Sequence, residues 1–206
     1  MEVRRIDQDH DQYPARLIHQ MKAAAPPSVF TIGDLRILNN PSVGLICSIQ
    51  CPGSIIIKTF DLIRQLRDRR IIVCGGFHSP MERECLDLLL RGTQPVILCP
   101  AKGPHYTVMD EGLPKALKAG RLLVLSCFNE SVRRTTLAQA LFRNRMVAAF
   151  CHTLFVPHAS PNGKTWAIVR QALDCGRKVV TFEDEANADL IASGTGTCGV
   201  DWIPDD

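Results

Sequence analysis

Two segments of the chain hold the residue types that phosphate chemistry needs. The first is Gly75-Gly76-Phe77-His78-Ser79-Pro80-Met81-Glu82. Two glycines let a ligand approach the backbone closely. Ser79 suits a helix N-cap, Pro80 the first helical position, and Glu82 the reciprocal place of a capping box. A helix starting there offers free backbone N–H groups to an anion. The same three residues also suffice merely to start a helix, and Gly-Gly is not a dinucleotide fingerprint. The second segment runs from His158 to Thr165 and ends in Gly163-Lys164-Thr165, as a P-loop does. His158 stands where a P-loop requires its first glycine, which argues against Walker-type ATP hydrolysis. A looser phosphate turn built from Ser160, Gly163, Lys164 and Thr165 remains, and Ser48 ends the apolar run that leads into a facing loop.

A third group is cationic. Arg143-Asn144-Arg145 falls in a helical stretch, preceded by Arg133 and Arg134 in a loop. Arginine forks suit phosphate oxygens, although an exposed helix face carries the same residues without a ligand. The six histidines form no metal-binding pair, and no serine nucleophile motif or carboxylate pair stands out. No residue is therefore assigned a catalytic role, and neither a metal nor a cofactor is expected.

The elements that must position these groups follow from hydrophobic pattern. Strands are predicted over 43–48, 71–74, 95–99, 122–126, 153–156 and 178–182, with helices over 55–69, 80–90, 114–119, 135–149 and 164–174. The strands are short, nearly continuous apolar runs, as parallel strands covered on both faces must be. Strands alternating with helices give βαβ units, hence an α/β fold: an open, mostly parallel, Rossmann-like sheet with helices on both faces. Residues 1–40 read as a lead-in packing on the sheet edge, and 41–206 as the domain. Ligands of such folds bind at the carboxyl ends of the strands, which selects the loops 49–53, 75–79, 100–109, 127–134 and 157–163.

The 206 residues are 46% hydrophobic and 22% charged, with a net charge of +3, so a disordered chain is excluded. That charge is a near cancellation. Residues 115–145 hold seven bases and one acid, whereas 183–206 hold seven acids and no base. Nine cysteines, an odd number, lie mostly in apolar runs and form no Cys-x-x-Cys pair. They read as small core residues of a reduced, cytoplasmic protein. There is no signal-like N-terminus and no apolar run near the length of a membrane span.

Several motifs together resemble the DNA-processing protein A (DprA/Smf) family. They are Tyr13-Pro14-x-x-Leu17, Pro27-x-Val29-Phe30-x-x-Gly33, the 43–48 strand, Phe142-Arg143-Asn144-Arg145-Met146-Val147-Ala148, Ala159 to Gly163, Cys175-Gly176-Arg177-Lys178-Val179-Val180 and Asn187-x-x-Leu190-Ile191-x-x-Gly194. Ile49 stands where the family has an arginine, Leu141 where it has a proline, and Asn162 where it has a serine. The resemblance implies an extended Rossmann domain that binds single-stranded DNA, forms a homodimer and helps load a recombinase. Arg143, Asn144 and Arg145 would carry the phosphate contacts, with Lys164 adding to them. A nucleotide or nucleotide-derived ligand at the carboxyl edge is the alternative. A third reading, hydrolysis of a nucleoside monophosphate as in the related phosphoribohydrolases, would assign Glu82 a reaction.

Overall fold

The computed structural model describes residues 2–106 and 112–204. The end of the 100–109 loop and the last two acids of the tail, Asp205 and Asp206, lie outside the described residues. Nine strands form one sheet: β1 (Arg4–Asp7), β2 (Ser28–Gly33), β3 (Ser42–Leu45), β4 (Ile72–Gly75), β5 (Val96–Leu98), β6 (Leu122–Ser126), β7 (Thr153–Phe155), β8 (Lys178–Phe182) and β9 (Gly196–Cys198). Their spatial order is β1-β2-β6-β5-β4-β3-β7-β8-β9. From β6 to β9 every pairing is parallel; β2 joins β6, and β1 joins β2, antiparallel. The helices are α1 (Ala15–Met21), α2 (Gly53–Asp68), α3 (Pro80–Leu90), α4 (Gly112–Lys118), α5 (Leu137–Phe150), α6 (Lys164–Asp174) and α7 (Ala188–Ala192).

Two cores flank the sheet because successive strand side chains point to opposite faces. On β6, Leu122 and Val124 pack with Ile55 and Leu62 of α2 and with Met81 and Leu89 of α3. Leu123 and Leu125 pack on the other side with Leu17 of α1, Met146 and Val147 of α5, and Ile168 of α6. The mostly parallel, doubly covered α/β sheet predicted from the apolar runs is thus the observed architecture. The predicted helices and strands recur with shifts of a few residues at their ends, three residues at the end of the first strand.

The first 40 residues do more than pack on an edge. They supply β1, α1 and β2 and so extend the sheet beyond β6. Two motif residues explain how. Tyr13 is buried and its hydroxyl donates to the Pro26 carbonyl at 2.6 Å, anchoring the turn before β2. Gly33 has φ +112°, and a Cβ there would collide with the Leu122 carbonyl of β6. Only glycine meets both demands without strain.

All nine cysteines are free thiols, and six of them are buried. Burial pushes the Cys99 and Cys127 thiols up to about 12. They therefore pack as neutral apolar groups. Cys175 departs from the expectation, since it lies exposed at the end of α6. No described helix is long and apolar enough to cross a membrane. Among the described residues no group of three His, Cys, Asp or Glu is placed to hold a metal ion.

Candidate nucleic-acid interface

In chain order the parallel strands run outward from β3 through β4 and β5 to β6, then restart at β7 on the other side of β3. The loops after β3 and β7 therefore diverge, which is the topological switch point where such sheets bind ligands. A cleft of about 270 Å³ opens there.

The loops around it are tied together by backbone geometry. Ser48 N–H donates to the His158 carbonyl at 3.0 Å, and Ser160 N–H donates to Ser48 Oγ at 3.2 Å. Asn187, buried at 1% exposure, donates to the carbonyls of Pro157 and Phe182 and meets His158 Nδ1 at 2.9 Å through its own Oδ1. The asparagine of the Asn-x-x-Leu-Ile-x-x-Gly motif thus fixes the loop after β7 to the end of β8.

Glu82 performs the matching task between β3 and β4. Its Oε2 accepts from the N–H groups of His78 at 2.9 Å and Ser79 at 3.2 Å, while Oε1 accepts from Cys47 N–H at 3.1 Å. Ser79 Oγ in turn accepts from Glu82 N–H, completing the capping box that opens α3. Three backbone donors hold a carboxylate that is 6% exposed. This is an anchored structural group, and the arrangement gives no support to Glu82 as a proton-transfer residue.

Of the residues singled out from sequence, the cleft brings together Ser48, His78, Ser79, Glu82, Arg143, Asn144, Ser160 and the start of α6: Gly163, Lys164 and Thr165. Gly163 is the N-cap of α6, and no side chain caps that end. The first N–H groups of α6 therefore remain available, and the positive end of the helix dipole favours an anion beside them. Lys164 is exposed and forms no ion pair among the described residues. Ile49, 82% exposed, and Leu137, 55% exposed, stand at the rim.

The arginines fall in different places. Residues two apart on a helix point away from each other, so Arg143 and Arg145 cannot form one fork. Arg145 is exposed on the far side of α5, beside a small groove that also includes Met21 and Ile168. Arg143 is 4% exposed. Its Nη1 donates to the Cys99 carbonyl at 2.9 Å, and its guanidinium lies over Gly76, where any Cβ would collide with it. Loss of water around the guanidinium holds its pKa below the ordinary arginine value, with the Glu82 charge acting the other way. Arg133 and Arg134 are exposed in the loop before α5 and do not line this cleft.

The glycine loop also differs from an open ligand cradle. Gly75 is a buried strand residue. Phe77 turns back into the core at 5% exposure, with φ +46°. A bulky residue in that conformation is strained. Gly76, Phe77 and His78 border a second cleft, between α3 and the loop after β5.

One contributor had no chemical signal in the sequence beyond its motif. Arg177 Nε donates to the Ala148 carbonyl, and Nη2 to the carbonyls of Cys151 and His152. These acceptors lie in and just beyond the last turn of α5, so Arg177 caps the helix that carries Arg143 and Asn144.

No curated protein sequence matches the chain. Among solved structures, DNA processing protein A from Streptococcus pneumoniae superposes with a TM-score of 0.79 at 20% identity, over 98% of this chain and 72% of that one. DNA processing protein A from Helicobacter pylori, described with its single-stranded DNA binding mode, gives 0.77 at 15% identity, over 96% and 90%. A molybdenum cofactor binding protein from Rippkaea orientalis gives 0.53 at 11% identity, over 78% and 91%. At these identities the likeness speaks to fold. The model of the DNA recombination-mediator protein A family matches residues 4–197, nearly the whole chain, and the chain belongs to that family.

Proposed function

We propose that the protein binds single-stranded DNA at the switch-point cleft through the phosphate backbone, as a DNA-processing and recombination factor. The observation that carries this reading is the uncapped N-terminus of α6 with Lys164, which forms no ion pair among the described residues, in one open cleft with Ser48 and Asn144. Backbone N–H groups, a hydroxyl, an amide and one cation suit phosphate oxygens and read no base edge. Ile49 and Leu137 give the rim an apolar surface against which an unstacked base can lie. Exposed Arg133 and Arg134, in the loop after β6, add positive charge along the same carboxyl edge of the sheet. Family membership supports the remaining elements: a homodimer, handover of the strand to a recombinase, and residence in the cytoplasm.

Anisotropy of a labelled oligothymidylate, measured against salt, tests the reading. Affinity should fall steeply with salt, by a log–log slope of about −0.7 per phosphate contact. Absence of binding at low salt would reject it.

A further inference from the structure

We propose that the second cleft, at the carboxyl ends of β4 and β5, is a separate site for a small organic phosphate monoester of nucleotide size, distinct from the DNA interface. Its volume is about 570 Å³, within the range of small-molecule sites. The cleft is divided in character. Leu86 and Leu90 of α3, with Leu98 and Leu113, form an apolar wall. Among the described residues, Arg83, Lys102 and Arg143 bring three cations to it, against one acid, Asp87.

Arg143 carries the argument. A buried guanidinium without a counter-charge is costly, and no carboxylate lies within ion-pair distance of this one among the described residues. The Glu82 carboxylate acts on Arg143 through its charge without touching it, since three backbone amides hold it in place. Of the three guanidinium nitrogens, Nη1 is bonded to the Cys99 carbonyl and Nε is enclosed without a partner. Nη2 donates to no group among the described residues, and Arg143 lines this cleft as well as the switch-point cleft. An anion seated there supplies the direct ion-pair contact that Arg143 lacks among the described residues.

The start of the wall opposite α3, at Ala101 and Lys102, is tied to neighbouring loops. Ser126 Oγ donates to the Lys102 carbonyl at 2.8 Å, and Thr135 Oγ1 to the Ala101 carbonyl at 3.4 Å. A preformed pocket with an apolar wall and a cationic floor suits a ligand with a flat apolar body and one phosphate.

Calorimetric titration of the full chain with 5′-AMP, adenosine and inorganic phosphate tests this. 5′-AMP should bind, and each fragment should bind at least about tenfold more weakly. The double variant Arg83→Ala/Lys102→Ala, altered only at the cleft wall, should weaken 5′-AMP about tenfold or more. Lys164→Ala, in the other cleft, should leave 5′-AMP binding unchanged while weakening oligothymidylate. No binding of 5′-AMP at millimolar concentration overturns the proposal. So does a 5′-AMP signal lost in Lys164→Ala and kept in the double variant, or displacement of 5′-AMP by oligothymidylate. Because oligothymidylate is measured separately, failure here is distinguishable from failure of DNA binding.

Discussion

The guanidinium of Arg143 occupies the space that a side chain on Gly76 would fill. This pairing joins α5 to the loop after β4 and forms the partition between the two clefts. Gly76 is thus needed for close approach, and its backbone does not require left-handed freedom.

Gly76→Ala should therefore be destabilising, by about 1–3 kcal/mol, the usual cost of overpacking. The guanidinium must leave the Cys99 carbonyl to make room. Urea denaturation measures the loss, and a variant as stable as the parent would contradict the packing described.

Arg177→Ala should cost about 2 kcal/mol, since it strips a charged donor from the carbonyls that end α5. Arg177→Lys should recover only part, because one ammonium cannot fork across carbonyls from three residues. Thermal melts of the two variants decide the order.

Lys164→Ala should leave stability within about 0.5 kcal/mol, as expected of an exposed side chain. It should reduce the salt slope of DNA binding by about 0.7, one phosphate contact. Arg145→Ala, altered on the far side of α5, should leave that slope unchanged. Anisotropy titrations at several salt concentrations separate the two.

His152 makes a pH prediction. Its Nδ1 accepts from Ser42 N–H at 3.1 Å, so the ring is neutral there, and burial lowers its pKa from 6.5. A group whose folded pKa is depressed contributes fully above its unfolded value. That contribution declines as pH falls below about 6.5 toward the lowered folded value. The stability gap between the parent and His152→Asn should be widest near neutrality and shrink between about pH 7 and pH 5. A constant gap over that interval would argue against the neutral ring.

The parallel half of the fold was legible because its strands are continuous apolar runs between amphipathic helices. The antiparallel extension was not. Arg4–Asp7 is a half-exposed edge with little apolar content, and Ser28–Gly33 mixes small, polar and aromatic residues. The site was legible in part. Ser79, Pro80 and Glu82 were readable as a capping box, and that box is present. Its third bond, from Cys47 N–H, spans 35 residues and has no local signal. Arg143 and Arg145 read as one cationic unit because sequence spacing hides the turn of a helix that separates them. Arg177 and Asn187 stood in recognisable motifs, yet their acceptors lie on other elements and only tertiary structure reveals them.

The two ends of the nine-stranded sheet are unlike its middle. One edge, β1, presents Arg4 and Arg5 exposed, and the other, β9, is three residues long. Edges that are charged or short resist pairing with another chain. A sheet otherwise wide enough to template fibrillar stacking is thereby guarded at both margins. Edge-to-edge pairing of two such sheets into one continuous sheet is disfavoured.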